Sequence, residues 1–174
     1  YLAILNSDDV YHPQRLEKLI GLIKNNPGIG LAGSYIQLVD PRGQSLGIKH
    51  GYLNCEPWVL ENPQRSFRAG TDLRAALMAE NYYATSSNFV FPRGWYEQVG
   101  EFRPLHFTHD WDYALRLAEV AEVALVPEPL VCYRVHAANT IRQDQASMLF
   151  EICWILAVHL PAYDLDPLTS SQEP

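Results

Sequence analysis

The first forty residues of the chain leave little choice of fold class. Residues 1 to 5, YLAIL, form an apolar run, and Asn6-Ser7-Asp8-Asp9 follow as a polar loop. Pro13 then stands where a first helical turn accepts it, and Leu16, Leu19, Ile20 and Ile23 fall at i, i+3, i+4 and i+7. Asn25-Asn26-Pro27-Gly28 stops that helix, and Ile29 to Val39 reads as a second strand, closed by the turn Asp40-Pro41-Arg42-Gly43. A strand, a helix and a strand at this spacing predict parallel strands, because antiparallel neighbours need no crossover of that length.

The same alternation continues. A helix is expected over Thr71 to Glu80, a strand over Ala84 to Phe91 ending at Pro92-Arg93-Gly94, and a helix over Asp110 to Val120 with Trp111, Ala114, Leu115 and Ala118 on one face. Two short strands, Val123 to Val126 and Leu130 to Val135, precede a long apolar helix from Gln143 to Leu160. Residues 50 to 69 carry two prolines and no period, as an irregular connection would. At 174 residues the order reads as one α/β domain, with residues 161 to 174 as a flexible tail.

Charge and cysteine usage narrow the partners. Twenty acidic against thirteen basic residues give a net charge of -7, so nothing electrostatic draws the molecule onto nucleic acid or anionic lipid. No apolar run approaches the roughly 18 residues of a membrane span, so no transmembrane segment is expected. Cys55, Cys132 and Cys153 are odd in number and lack ligand spacing, which fits a reducing, cytoplasmic compartment.

Three constellations carry possible chemistry. Asp8 and Asp9 follow the carboxyl end of a strand, where open α/β sheets place ligands. With Asn6 nearby they are hard oxygen donors for Mg2+ or Mn2+ shared with a phosphate, although Asp9 could equally cap the following helix. In His109-Asp110-Trp111-Asp112, helical geometry turns the two carboxylates to nearly opposite sides. Asp112 and Arg116 form an i,i+4 pair, worth a few tenths of a kcal/mol if exposed. That leaves Asp110 as either a helix-start carboxylate held by the dipole or a general base. Tyr133-Arg134-Val135-His136 ends a strand with a histidine that is either a surface residue or a ligand. Ser86, Ser87 and Asn88 lack the G-x-S-x-G turn a nucleophilic serine needs, so hydrolase chemistry there is discounted.

Taken in order, these motifs resemble the inverting glycosyltransferases of family 2, which have the GT-A fold. LNSDDVYHPQRLEKLIGLIKNNPGIGLAGSYIQLVDPRGQ is similar to that family's segment around the metal-binding D-x-D. SSNFVFPRGWYEQVGEFRPLHFTHDWDYALRL resembles its acceptor-side strand, V-G-x-F turn and E-D-W-D helix, and EPLVCYRVHAANT its closing E-P-L-x-x-Y-R-x-H. The resemblance covers residues 1 to about 140. It implies an incomplete GT-A fold, a mixed sheet flanked by helices, in which residues 1 to 160 are the carboxyl-terminal part of one catalytic domain and the amino-terminal strands are missing.

The resemblance also implies roles. Asp110 stands at the catalytic base. Asn6, Asp8, Arg134 and His136 stand on the donor side, with Asp8 and His136 near a Mn2+ or Mg2+ ion, and His109, Trp111 and Ser87 stand on the acceptor side. Asn6 replaces the usual first acid of D-x-D, and His109 the usual Glu before the base. The implied partners are a nucleotide-sugar donor, a UDP-sugar being commonest, and a glycan, lipid-linked or protein acceptor. Association with the inner membrane face is compatible with a longer polypeptide, and a half-domain is expected to be catalytically poor alone. Two rivals are a degenerate binding domain and a metal-dependent phosphatase with Asp8 as nucleophile, for which Lys49 is the one lysine after Lys24.

Overall fold

The computed structural model describes residues 1–49, 72–136 and 144–163. The expected irregular connection at 50 to 69 and the tail from residue 164 lie outside the described residues. The fold is α/β, with a mixed sheet flanked by helices.

Strand β3, Ile29–Val39, is the spine of the sheet, with its expected boundaries. One edge pairs in parallel with β6, Glu122–Arg134. The other edge is shared by two antiparallel partners: β5, Val90–Phe91, at Ala32, and β4, Ser45–Lys49, at Ile36 to Val39. β1, Leu2–Ala3, pairs with β5, and β2, Val10–Tyr11, with β6, both antiparallel. β1 and β3 therefore run parallel, as expected, but β5 lies between them, and β2, the strand directly before α1, runs antiparallel to β3.

Besides the unexpected short strands β2 and β4, three elements depart from the sequence expectation. The two short strands after residue 122 are one strand, because Pro127 and Glu128 are skipped in the register between Val126 and Pro129 and pairing resumes beyond them. A proline lacks the ladder N–H, so local pattern alone breaks the strand there. The expected strand Ala84 to Phe91 is mostly a single 3-10 turn over Ser86–Asn88, and only Val90–Phe91 pairs. A further helix, α3, Arg93–Val99, begins at the Pro92-Arg93-Gly94 stretch read as a stop.

Both faces of the sheet are covered. Helix α1, Arg15–Asn25, starts two residues after Pro13 and sets Leu19 and Ile23 against Ile29, Ala32 and Val90. On the opposite face, Leu31 and Phe91 meet α2, Leu73–Ala79, and α4, His109–Val120, with Tyr83, Phe89 and Tyr113 in the same cluster. Successive strand residues point to opposite faces, so Leu31 and Ala32, like Phe91 and Val90, serve different cores. Gly33 is required by this packing. A Cβ there would lie 2.5 Å from the Tyr83 ring and 3.0 Å from the Asn88 carbonyl.

Helix α5, Gln145–His159, is inverted in polarity. Glu151, Ile155 and His159, at i, i+4 and i+8, face the body, while Leu149, Phe150, Trp154 and Val158 are exposed. Read as one helical run with the 3-10 turn after it, Gln145–Ala162 has 18 residues and a mean hydropathy of 1.3, which meets the length and composition of a membrane span. The expectation that no run approaches that length does not hold for this stretch. Length and composition are shared by membrane spans and by helices packed in protein cores, so they assign α5 to neither.

Candidate functional site

The acidic loop follows β1 and is gripped from behind. The Asn6 N–H donates to Ser87 Oγ at 2.9 Å, Asn6 Nδ2 donates to Thr85 Oγ1 at 3.2 Å, and Ser86 Oγ donates to Asn6 Oδ1 at 3.3 Å. Asn6 thus uses its side chain to hold the loop. Ser87 is fully buried and supports this loop. Asp9 does not cap α1, whose preceding residue is Gln14; its Oδ1 instead accepts the Arg134 N–H at 3.2 Å. Burial pushes the Asp9 carboxyl up, against the opposite pull of Ser87 and Arg134.

At the outer end of this loop the chain closes on itself. Asp8 Oδ2 lies 3.0 Å from His136 Nε2, across 128 residues of sequence. Parallel pairing of β6 with β3 and its antiparallel pairing with β2 bring the end of β6 to the loop. Both side chains are about one-third exposed, at 38% and 29%, so the pair is open to a ligand. Arg134 reaches the same corner and donates from Nε to the Asp8 carbonyl at 3.2 Å and from Nη1 to the carbonyls of Asp40 and Pro41. A carboxylate oxygen beside an imidazole nitrogen is a two-donor pair of the kind a divalent transition metal such as Mn2+ accepts, the carboxylate alone suiting Mg2+. Among the described residues no three His, Cys, Asp or Glu gather as a closed cage.

The segment Glu80 to Asn88 connects this corner to Asp110. Its far end holds Asn6, as above; its near end places Asn81 Nδ2 3.4 Å from Asp110 Oδ1. Between them Ala84 has φ 61°, a left-handed conformation uncommon for a residue with a Cβ, and its N–H donates to the Asn81 side chain at 3.1 Å. Asn88 anchors the segment by exchanging two hydrogen bonds with the Ser34 backbone, at 2.9 and 2.8 Å, in place of a strand neighbour. The three polar residues that looked out of place in a strand are the anchors of this bracket.

Asp110 lies in the first turn of α4 and is only 8% exposed. Its Oδ1 accepts the Trp111 N–H at 2.6 Å, so the helix-start role is real. Burial pushes its carboxyl above the usual carboxylate range, with His109 and the backbone N–H groups pulling the other way. A raised pKa makes the ionised form of this carboxylate the stronger base. His109 is half-buried, 6.4 Å from the Phe102 ring centroid. Trp111 is also half-buried and donates its indole N–H to the Leu77 carbonyl at 2.8 Å, which ties α4 to α2.

Several supporting residues had no sequence signal. Arg15 is fully buried, donating to Ser34 Oγ at 2.6 Å and Asn88 Oδ1 at 3.1 Å with its guanidinium over the Tyr11 ring; burial lowers its pKa to about 10. Glu151 on α5 accepts the N–H groups of His106, Phe107 and Thr108 at 2.9, 2.8 and 3.0 Å. Asp112 is fully buried, so its pairing with Arg116 is not the exposed pair the spacing suggested. It also meets Arg103 at 2.6 Å and His159 at 3.1 Å. Lys49 is buried in an ion pair with Glu80 at 2.9 Å.

The described residues thus bring an acidic loop at a strand end against a histidine, with a separate buried carboxylate in the first turn of α4. Comparison with known proteins gives one likeness. The chain is 24% identical, over 143 residues and 80% of its length, to a protein of Rickettsia prowazekii (strain Madrid E) named as an uncharacterized glycosyltransferase. The match spans 41% of that relative, less than half its length. No family model matches the chain.

Proposed function

We propose that the chain carries the catalytic half of an inverting, metal-assisted glycosyltransferase of family 2 with a GT-A fold, moving a sugar from a nucleotide-diphosphate donor to an acceptor hydroxyl. The observation that carries this reading is the bracket of residues 80 to 88, which holds the Asn6 loop at one end and approaches Asp110 at the other. It makes the donor corner and the buried carboxylate parts of one assembly.

In this reading Asp8 and His136 hold Mn2+ or Mg2+, which when bound neutralises charge on the departing diphosphate. Asn6 and Arg134 hold the loop and the turn at Asp40 in place around the donor. Asp110 accepts the proton of the acceptor hydroxyl as its oxygen attacks the anomeric carbon from the face opposite the leaving group. The bond to the diphosphate breaks as the new glycosidic bond forms, so the configuration inverts in one displacement and no covalent enzyme intermediate is required. UDP-sugars are the proposed donors, and a glycan, lipid or protein hydroxyl the acceptor. The setting is cytoplasmic, with the inner membrane face as a site of association for a longer polypeptide.

The test is the anomer released. With α-linked UDP-sugars, water as the acceptor and a longer polypeptide containing this chain as the enzyme, the first free sugar seen by proton NMR is expected to be the β-anomer, and Asp110→Asn should lower the rate by about 100- to 10,000-fold, the usual contribution of a general base. Initial release of the α-anomer, or an unaltered rate in Asp110→Asn, would reject the mechanism.

A further inference from the structure

We propose that Glu151 is a positioning residue for Asp110, acting through the segment that leads into α4. The inference rests on the transferase reading for its catalytic consequence but on geometry for its substance. Thr108, the residue preceding α4, makes no side-chain cap to the helix, and the approach from His106 to Thr108 is irregular. One carboxylate from α5 gathers that approach: Oε1 accepts the His106 N–H, and Oε2 accepts the N–H groups of Phe107 and Thr108 together with the Thr108 hydroxyl at 3.2 Å. Asp110 lies two residues further on. Its distance from Asn81 therefore depends on where Glu151 draws the start of the helix.

The second anchor shows why α5 can act as a fixed support. Eight residues along the same helix face, His159 Nε2 meets Asp112 Oδ1 at 3.1 Å and Nδ1 meets Glu119 Oε1 at 2.5 Å. With Ile155 buried between them, α5 is pinned to α4 at two points on one stripe. Glu151 is thus the end of a braced strut that bears on the approach to Asp110. Charge-assisted hydrogen bonds of this kind are the stronger class, and losing four at once frees the segment.

The test pairs Glu151→Ala with the conservative Glu151→Gln in the same chain. Amide hydrogen exchange at Phe107 and Thr108 is expected to speed up roughly ten- to hundred-fold in Glu151→Ala, with a smaller change in Glu151→Gln, which keeps one acceptor oxygen. Exchange in β3 should stay at the wild-type rate, and the 13C resonance of the Asp110 carboxyl should move. Where transfer is measured, kcat should fall while the donor KM holds. Unchanged exchange at Phe107 and Thr108, or an unmoved Asp110 carboxyl resonance, would overturn the positioning role. If those two signals move as expected while a longer polypeptide containing this chain transfers no sugar, the positioning stands and the transferase reading is what fails.

Discussion

Replacing Asp112 by Asn tests whether α5 is held to α4 by charge. The carboxylate is fully buried and faces Arg103, Arg116 and His159 at 2.6, 3.0 and 3.1 Å. Removing one member of a buried ion cluster ordinarily costs about 3–5 kcal/mol, because the remaining charges lose their counter-ion. Two features place this site at the low end. Arg103 is 38% exposed and can turn to water, and His159 keeps Glu119 at 2.5 Å. A loss of about 3 kcal/mol corresponds to a fall in Tm of roughly 6–12 °C for a chain of this size.

The pH dependence of that loss has a definite sign. Burial works to raise the Asp112 carboxyl, but His159, Arg116 and Arg103 outweigh it and hold it below the usual value. Its contribution is therefore present above the unfolded value of about 4 and is lost as pH falls through the lower folded value. Burial works to lower the His159 pKa, but Asp112 and Glu119 raise it on balance. Its contribution is present below about pH 6.5 and is lost as pH rises through the higher folded value. The difference in Tm between wild type and Asp112→Asn should thus be greatest between about pH 4 and 6.5 and narrow on both sides. Thermal unfolding followed by circular dichroism across this range is the assay. A loss under about 2 °C at pH 5.5, or an equal loss at pH 5.5 and pH 9, would refute the reasoning.

Other outcomes follow from single contacts. Gly33→Ala should destabilise by about 1–3 kcal/mol, since its Cβ would meet the Tyr83 ring at 2.5 Å, whereas Gly21→Ala, with nothing within 4 Å and mid-helix, should stabilise by up to about 1 kcal/mol; chemical denaturation of the two variants checks both signs. Because burial raises the Asp110 carboxyl, kcat/KM should decline on its acid limb at a pH above the ordinary carboxylate value, and that limb should vanish from the residual activity of Asp110→Asn.

Local pattern made much of the scaffold legible. The run of apolar residues from Ile29 to Val39 is bounded by glycine and proline turns, and the observed strand has those limits. The start of α4 differs by one residue and that of α1 by two, within the fraying of any helix end. Strand β6 was read as two because Pro127 and Pro129 interrupt its pattern, and tertiary pairing with β3 restores it on either side. Ser86 to Asn88 were misread as strand because their partners, Asn6 and Ser34, lie about 80 and 54 residues away. The helix from Gln145 was visible as apolar, but its polar inner stripe of Glu151 and His159 shows its purpose only beside Thr108 and Asp112. Buried Arg15 had no sequence signal, because a charged residue at the first position of an amphipathic helix ordinarily faces water. Asp8 and His136 were linked in advance by family resemblance alone, since periodicity says nothing about a contact across 128 residues.

The most direct measurement is calorimetric titration of the chain with UDP, with and without Mn2+, on the wild type, Asp8→Ala and Asp110→Asn. The account predicts Mn2+-dependent UDP binding in the wild type, its loss or marked weakening in Asp8→Ala, and near wild-type binding in Asp110→Asn. Mn2+-dependent UDP binding of equal strength in Asp8→Ala, or its loss in Asp110→Asn, would contradict the division of roles between the donor corner and the base.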